Sequence, residues 1–228
     1  MPKDKLVFVC SDCDARYAKW QGQCNECGAW NTLSQLHVTS SLTYAGEKSG
    51  LKFLSQITSE DQVRLSSGLR ELDRVLGGGM VAGSAVLISG NPGAGKSTLL
   101  LQVLCGVSGE GTVLYVTGEE SLSQVASRAQ RLKLNTGNIM VMAETDIDVI
   151  LSSWSKSKPS ICVIDSIQAM QSSLTDSAPG SVAQVRESAA TLIRHAKQTS
   201  TVLFMVGHVT KEGNLAGPRV LELSLIHI

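Results

Sequence analysis

With 228 residues the chain is long enough for one or two domains, and its 43% hydrophobic content supplies ample core. A formal net charge of zero excludes bulk electrostatic attraction to nucleic acid or to an anionic membrane, though a local basic patch is still allowed. No apolar run approaches the length of a membrane span, and Met1–Phe8 lacks the long apolar segment of a secretory signal, so a cytoplasmic protein without membrane attachment is the expectation.

The first 36 residues carry Cys10-Ser-Asp-Cys13 and Cys24-Asn-Glu-Cys27, a C-x2-C-x10-C-x2-C pattern. Two such knuckles let four thiolates converge tetrahedrally on one zinc ion, and a closed four-sulfur site is structural rather than catalytic. A redox pair is the competing reading, but two pairs without a thioredoxin-like surround argue against it. Tyr17, Trp20 and Trp30 flank the knuckles, either as a small core or as a stacking surface for a base or partner. Residues 1–36 are therefore expected to be a zinc-finger domain. From His37 to about Gln62 the composition turns polar and loses any period, which reads as a linker with His37 solvated.

A core domain is expected over residues 63–222. Leu69, Leu72, Val75 and Leu76 fall on one face of a short helix that Gly77-Gly-Gly79 stops. Ser84–Ser89 then reads as a buried strand, followed by Gly90-Asn-Pro-Gly-Ala-Gly-Lys-Ser-Thr98 and the helical run Leu99–Leu104. Gly90, Gly95, Lys96 and Ser97 satisfy G-x-x-x-x-G-K-[ST], the phosphate-binding loop of nucleoside triphosphatases. Glycines permit positive φ and close backbone approach to phosphate, and the helix N-terminus adds unsatisfied donors. Lys96 is the residue type that reaches the β and γ phosphates, and the Ser97 hydroxyl can join a magnesium shell.

Strands at Thr112–Thr117, Ile139–Ala143, Ile161–Asp165 and Thr201–Val206 alternate with helices at Ser121–Lys133, Asp146–Trp154 and about Ser181–Thr199. That alternation predicts an α/β protein with a mostly parallel sheet, helices on both faces and ligands at the carboxyl ends of the strands. Asp165 closes an apolar strand, either as a magnesium carboxylate or as a helix cap. Glu119 is read as the base that activates the attacking water, with Glu120 capping the next helix; the alternative is that both cap it. His208 follows the last strand and either contacts the γ-phosphate or is a neutral hydrogen-bonding histidine. Cys105 and Cys162 are expected in the core, and His195 at the surface.

Taken together, the Tyr17–Cys24 segment within the four-cysteine pattern, Gly68–Gly79, Gly90–Thr98, Tyr115–Ser121, Val163–Gln168 and Gly207–Glu222 closely resemble the RadA (Sms) family of bacterial DNA repair and recombination proteins. The resemblance implies a RecA-like ATPase core with ATP, Mg2+ and Zn2+ as cofactors. It also implies a homo-hexamer when full length, binding of single-stranded DNA and recombination intermediates, and promotion of branch migration, with recombinase or replication proteins as partners. Carried over by position, Gly90, Asn91, Pro92, Gly93, Ala94, Gly95, Lys96, Ser97 and Thr98 hold ATP, Ser97 and Asp165 hold magnesium, Glu119 is the base, and His208 is the nucleotide sensor. The family continues with another core strand, a short basic motif and a Lon-protease-like domain. Leu223–Ile228 does not resemble that continuation, so it is read as an atypical tail on an incomplete core with an unpaired apolar sheet edge. Two other readings are a KaiC-like ATPase with protein partners and a nucleotide-binding scaffold that hydrolyses little.

Overall fold

A computed structural model describes residues 5–10, 16–17, 19–30, 33–38, 53, 55, 64–107, 111–175 and 177–208. The chain divides into two units, Met1–Tyr44 and Ala45–Ile228. In the first, β1 (Lys5–Cys10) is flanked by β2 (Arg16–Tyr17) and β3 (Leu33–Val38) in an antiparallel sheet of order β2-β1-β3. Pairing with the whole of β1 carries β3 through His37 and Val38, which sit opposite Leu6 and Lys5. Those two residues are therefore strand where composition alone suggests linker. The remaining linker, apart from Phe53 and Ser55, lies outside the described residues.

The second unit opens with β4 (Arg64–Leu65), α1 (Arg70–Val75) and β5 (Met80–Val81), a corner in which β4 and β5 pair antiparallel. Helix α1 turns Leu69, Leu72 and Leu76 toward the core, but Val75 is 68% exposed and leaves the apolar face expected for it. A six-residue helix offers too narrow a stripe to bury four apolar positions.

Strand β6 (Ala85–Gly90) then leads through the loop to α2 (Lys96–Val107), β7 (Val113–Thr117), α3 (Leu122–Arg131), β8 (Ile139–Ala143), α4 (Ile147–Ser157), β9 (Ile161–Asp165), a 3₁₀ turn (Ile167–Ala169), α5 (Val182–Thr199) and β10 (Val202–His208). The strands order as β6-β10-β9-β7-β8, with every pairing parallel. Helices α2 and α3 connect strands stepping one way across this sheet, whereas α4 and α5 connect strands stepping back. Because parallel crossovers are right-handed, reversing the direction places the two helix pairs on opposite faces.

Side-chain parity agrees. Val113, Tyr115, Ile161, Val163, Val202 and Phe204 pack with α2 and α3. Their neighbours Leu114, Val116, Cys162, Ile164, Leu203 and Met205 pack with α4 and α5. A strand buried on both faces needs continuous apolar sequence, and that is how β7 and β9 read.

Local signals set the helix ends. Ser121 and Gln124 form a reciprocal capping box at the start of α3, so the cap is Ser121 and not Glu120, which instead pairs with Arg128. Asp146 and Ser181 cap α4 and α5. Helix α4 runs to Ser157 and stops at Lys158, the residue before Pro159, where continued helix is disfavoured. His195 is half-buried, edge-on to Trp154 with ring centroids 5.1 Å apart, and burial pushes its imidazole pKa down. It lies one turn beyond the buried Leu192, on the face α5 turns toward α4. Cys162 is fully buried as expected, whereas Cys105 is half-buried.

Among the described residues, β6 and β8 form the two sheet edges, and Ala85–Ile88 of β6 are half-buried. No helix among these residues is long and apolar enough to cross a membrane.

Candidate functional site

The parallel register brings the carboxyl ends of four strands to one rim. His208 stands opposite Gly90, and Thr117 opposite Asp165. From that rim the loop 91–95 projects with all five residues exposed. Positive φ is needed at Gly93 (81°) and Gly95 (86°), while Gly90 is simply the last residue of β6. A Cβ added at Gly93 or Gly95 would meet nothing within 4 Å, so the space beside these two glycines is open. Lys96, 8% exposed at the start of α2, donates from Nζ to the carbonyls of Gly90 (2.8 Å) and Asn91 (3.0 Å). An ammonium carries three donors, so one proton is left for a ligand. Open backbone, a helix N-terminus and this ammonium together suit a phosphate tail. Ser97 and Thr98 follow on the first turn of α2, both half-buried.

The carboxylates are held by hydroxyls crossing between strands. Asp165, 8% exposed, accepts from the Tyr115 hydroxyl at Oδ2 and caps no helix. Glu119 accepts from Ser166 Oγ and meets His208 Nε2 at 3.2 Å, both at its Oε1. The bracing is reciprocal: β7 supplies the phenol that holds the carboxylate of β9, and the residue after β9 holds the carboxylate beyond β7. Gly118 makes this possible. Its N–H donates to the Asp165 carbonyl at 2.8 Å, and a Cβ there would lie 2.6 Å from Ala169 Cβ and 2.8 Å from Met170 Cε. Only glycine lets the end of β7 lie against the turn after β9. Glu119 itself is exposed, as suits a group that must meet solvent or ligand.

Lys96, Asp165, Glu119 and His208 thus share one rim, and direct contacts join Glu119 to His208 and Ser166. Tyr115 and Ser166 are the members that motif reading missed. A tyrosine inside an otherwise apolar buried strand is the available signal, because a buried phenol must find an acceptor. The loop after His208 lies outside the described residues.

In the first unit, Cys24 and Cys27 bracket a tight turn. Gly28, with φ 74°, donates to the Cys24 carbonyl at 2.8 Å, and Cys24 N–H donates to Ala29 at 2.9 Å. The Tyr17 hydroxyl lies 3.3 Å from Cys24 Sγ and accepts from the Asn25 N–H, and the cysteine contact pushes its pKa up. Among the described residues no three Cys, His, Asp or Glu side chains form a metal-sized group; Cys13 and the Cys10 side chain lie outside them. Trp20 (57%) and Trp30 (69%) are exposed, so among the described residues these two rings do not form the small core envisaged for them. A Cβ added at Gly22 would meet the Trp30 ring at 3.7 Å, so the ring lies beside that glycine.

The sheet and loop define a phosphate-loop α/β protein with a RecA-like core, preceded by a small ribbon. Residues 49–214 match the family described as AAA domain, and residues 8–35 match the rubredoxin metal binding domain. The chain belongs to the AAA domain family. It is 52% identical over 228 residues to the DNA repair protein RadA of Pseudomonas aeruginosa, covering 97% of this chain and 50% of that protein. Against the proteins of the same name from Escherichia coli and Bacillus subtilis, identity is 52% over 229 residues (96% and 50% covered) and 46% over 231 residues (97% and 50% covered). The chain spans about half the length of the curated relatives it matches.

Proposed function

We propose that this chain binds and hydrolyses ATP in a DNA repair protein. The observation that carries the reading is the shared rim: an open phosphate loop, Lys96, and two carboxylates fixed from neighbouring strands. In this reading the amides of Gly90–Thr98 grip the triphosphate, with Lys96 on its outer phosphates. Ser97 and Asp165 are the residues that hold magnesium, which when bound neutralises phosphate charge. Glu119 takes the proton of the attacking water as the new P–O bond forms and the bond to the β-phosphate breaks, giving ADP and phosphate. Ser166 and His208 hold Glu119 at one carboxylate oxygen, and His208 links it to the end of β10, which suits a nucleotide sensor. Cys10, Cys13, Cys24 and Cys27 hold a structural zinc in this reading; the paired turn around Cys24 and Cys27 supports it.

The relatives are named as DNA repair proteins, which supports work on DNA, and the finer reading is recombination. In that work hydrolysis drives branch migration on single-stranded DNA, in a cytoplasmic hexamer built from a longer chain, with recombinase or replication partners. Lys96→Ala is expected to lower ATP turnover by about 10²–10³-fold while the circular dichroism spectrum is unchanged. Unchanged turnover would sink the site. Turnover of a version as long as the relatives, with and without single-stranded DNA, tests the rest. Absence of both stimulation and salt-dependent DNA binding would reject the DNA reading.

A further inference from the structure

Tyr115 stands where a phenylalanine would fill the space equally well. Its ring is fully buried between β7 and the α2–α3 layer, among Leu100, Leu104, Val163 and Phe204. The hydroxyl is the one part this packing does not require, and it donates to Oδ2 of Asp165 from 50 residues away in sequence. Asp165 lies on the same face of the neighbouring strand, two residues beyond Val163, the register partner of Tyr115.

An aspartate carboxylate turns freely about its last torsion, because that sp³–sp² rotation is broad. A metal carboxylate needs that rotation fixed. We infer that Tyr115 is a positioning residue, whose hydroxyl holds Oδ2 so that the other oxygen of Asp165 is presented to a magnesium–nucleotide complex. The inference rests on Asp165 being the metal carboxylate. Partners of this kind around a metal ligand typically matter by about 10–100-fold in metal affinity.

The test is binding of a fluorescent ATP analogue to the 228-residue chain as magnesium is titrated, for wild type, Tyr115→Phe, Asp165→Asn and the double variant. Thermal unfolding of each metal-free protein is recorded alongside. Tyr115→Phe is expected to raise the magnesium concentration for half-maximal binding by about tenfold, while magnesium-free binding is unchanged. In the Asp165→Asn background the same change should shift it less than about twofold, because the phenol acts through the carboxylate. A wild-type magnesium requirement unchanged in Tyr115→Phe, with or without a lower melting temperature, overturns the inference alone. Equal shifts in both backgrounds do the same. Nucleotide binding by wild type that ignores magnesium overturns the reading of Asp165 and the inference with it.

Discussion

The two kinds of tryptophan in this chain mark two ways of holding a fold. Trp154 is completely buried between α4 and α5, its indole N–H donating to Thr201 at 3.2 Å. Trp20 and Trp30 are mostly in solvent, and among the described side chains of their unit Cys24 alone is buried. The larger unit folds because a parallel sheet is covered on both faces, and apolar burial dominates its stability. Among its described side chains the ribbon shows no comparable interior, and a unit this small gains little from burial alone. Strand pairing and a metal on its cysteines are the expected sources of its order.

Removing the metal is the harshest way to break that contrast. A chelator, or Cys24→Ser, is expected to remove about 10–16 kcal/mol from the ribbon. Hydrogen exchange should then lose protection over residues 5–38 and keep it over 85–208. A ribbon indifferent to chelator would mean the two units are held alike. Next in size, Trp154→Ala should cost the core about 3–5 kcal/mol in denaturant unfolding, with zinc content unchanged. Trp30→Ala, at an exposed site, should fall within about 0.5 kcal/mol. Similar costs for the two tryptophans would refute the burial argument.

Another small effect concerns the polar corner before the sheet. Burial pushes the Asp73 carboxyl up, but bonds from Ser66 Oγ (2.6 Å) and the Ser67 N–H (2.7 Å) outweigh it and hold the carboxyl below its ordinary value. A lowered folded pKa means the unfolded chain binds the proton more readily. The stabilisation is therefore complete above the ordinary carboxylate range and lost as pH falls through the folded value. Asp73→Asn should flatten the acid limb of stability by under about 1 kcal/mol, since the site is largely solvated. An unchanged acid limb would remove Asp73 from the account.

Much of this was legible residue by residue. The alternation of strands and helices after Gly111, the helix starts near Ser121, Asp146 and Ser181, and the loop around Lys96 all follow from patterns a few residues long. Reading failed where a side chain's neighbours come from another element. Glu120 looked like a cap until Arg128 claimed it, Val75 looked apolar-faced on a helix too short to bury it, and His195 looked superficial until α4 covered it. The tryptophans of the ribbon look like core to any composition rule, yet no described residue closes over them.

Short-range chemistry therefore settled what each segment is: which stretch can cradle phosphate, which strands are buried on both faces, and which cysteines are spaced as knuckles. Only the strand order decided which groups meet, because Tyr115 and Asp165, Ser166 and Glu119, and His208 and Glu119 are separated by 50, 47 and 89 residues. Periodicity has no memory over such distances. The crossovers that place β9 and β10 between β7 and β6 do, and they turn isolated polar residues at strand ends into one site.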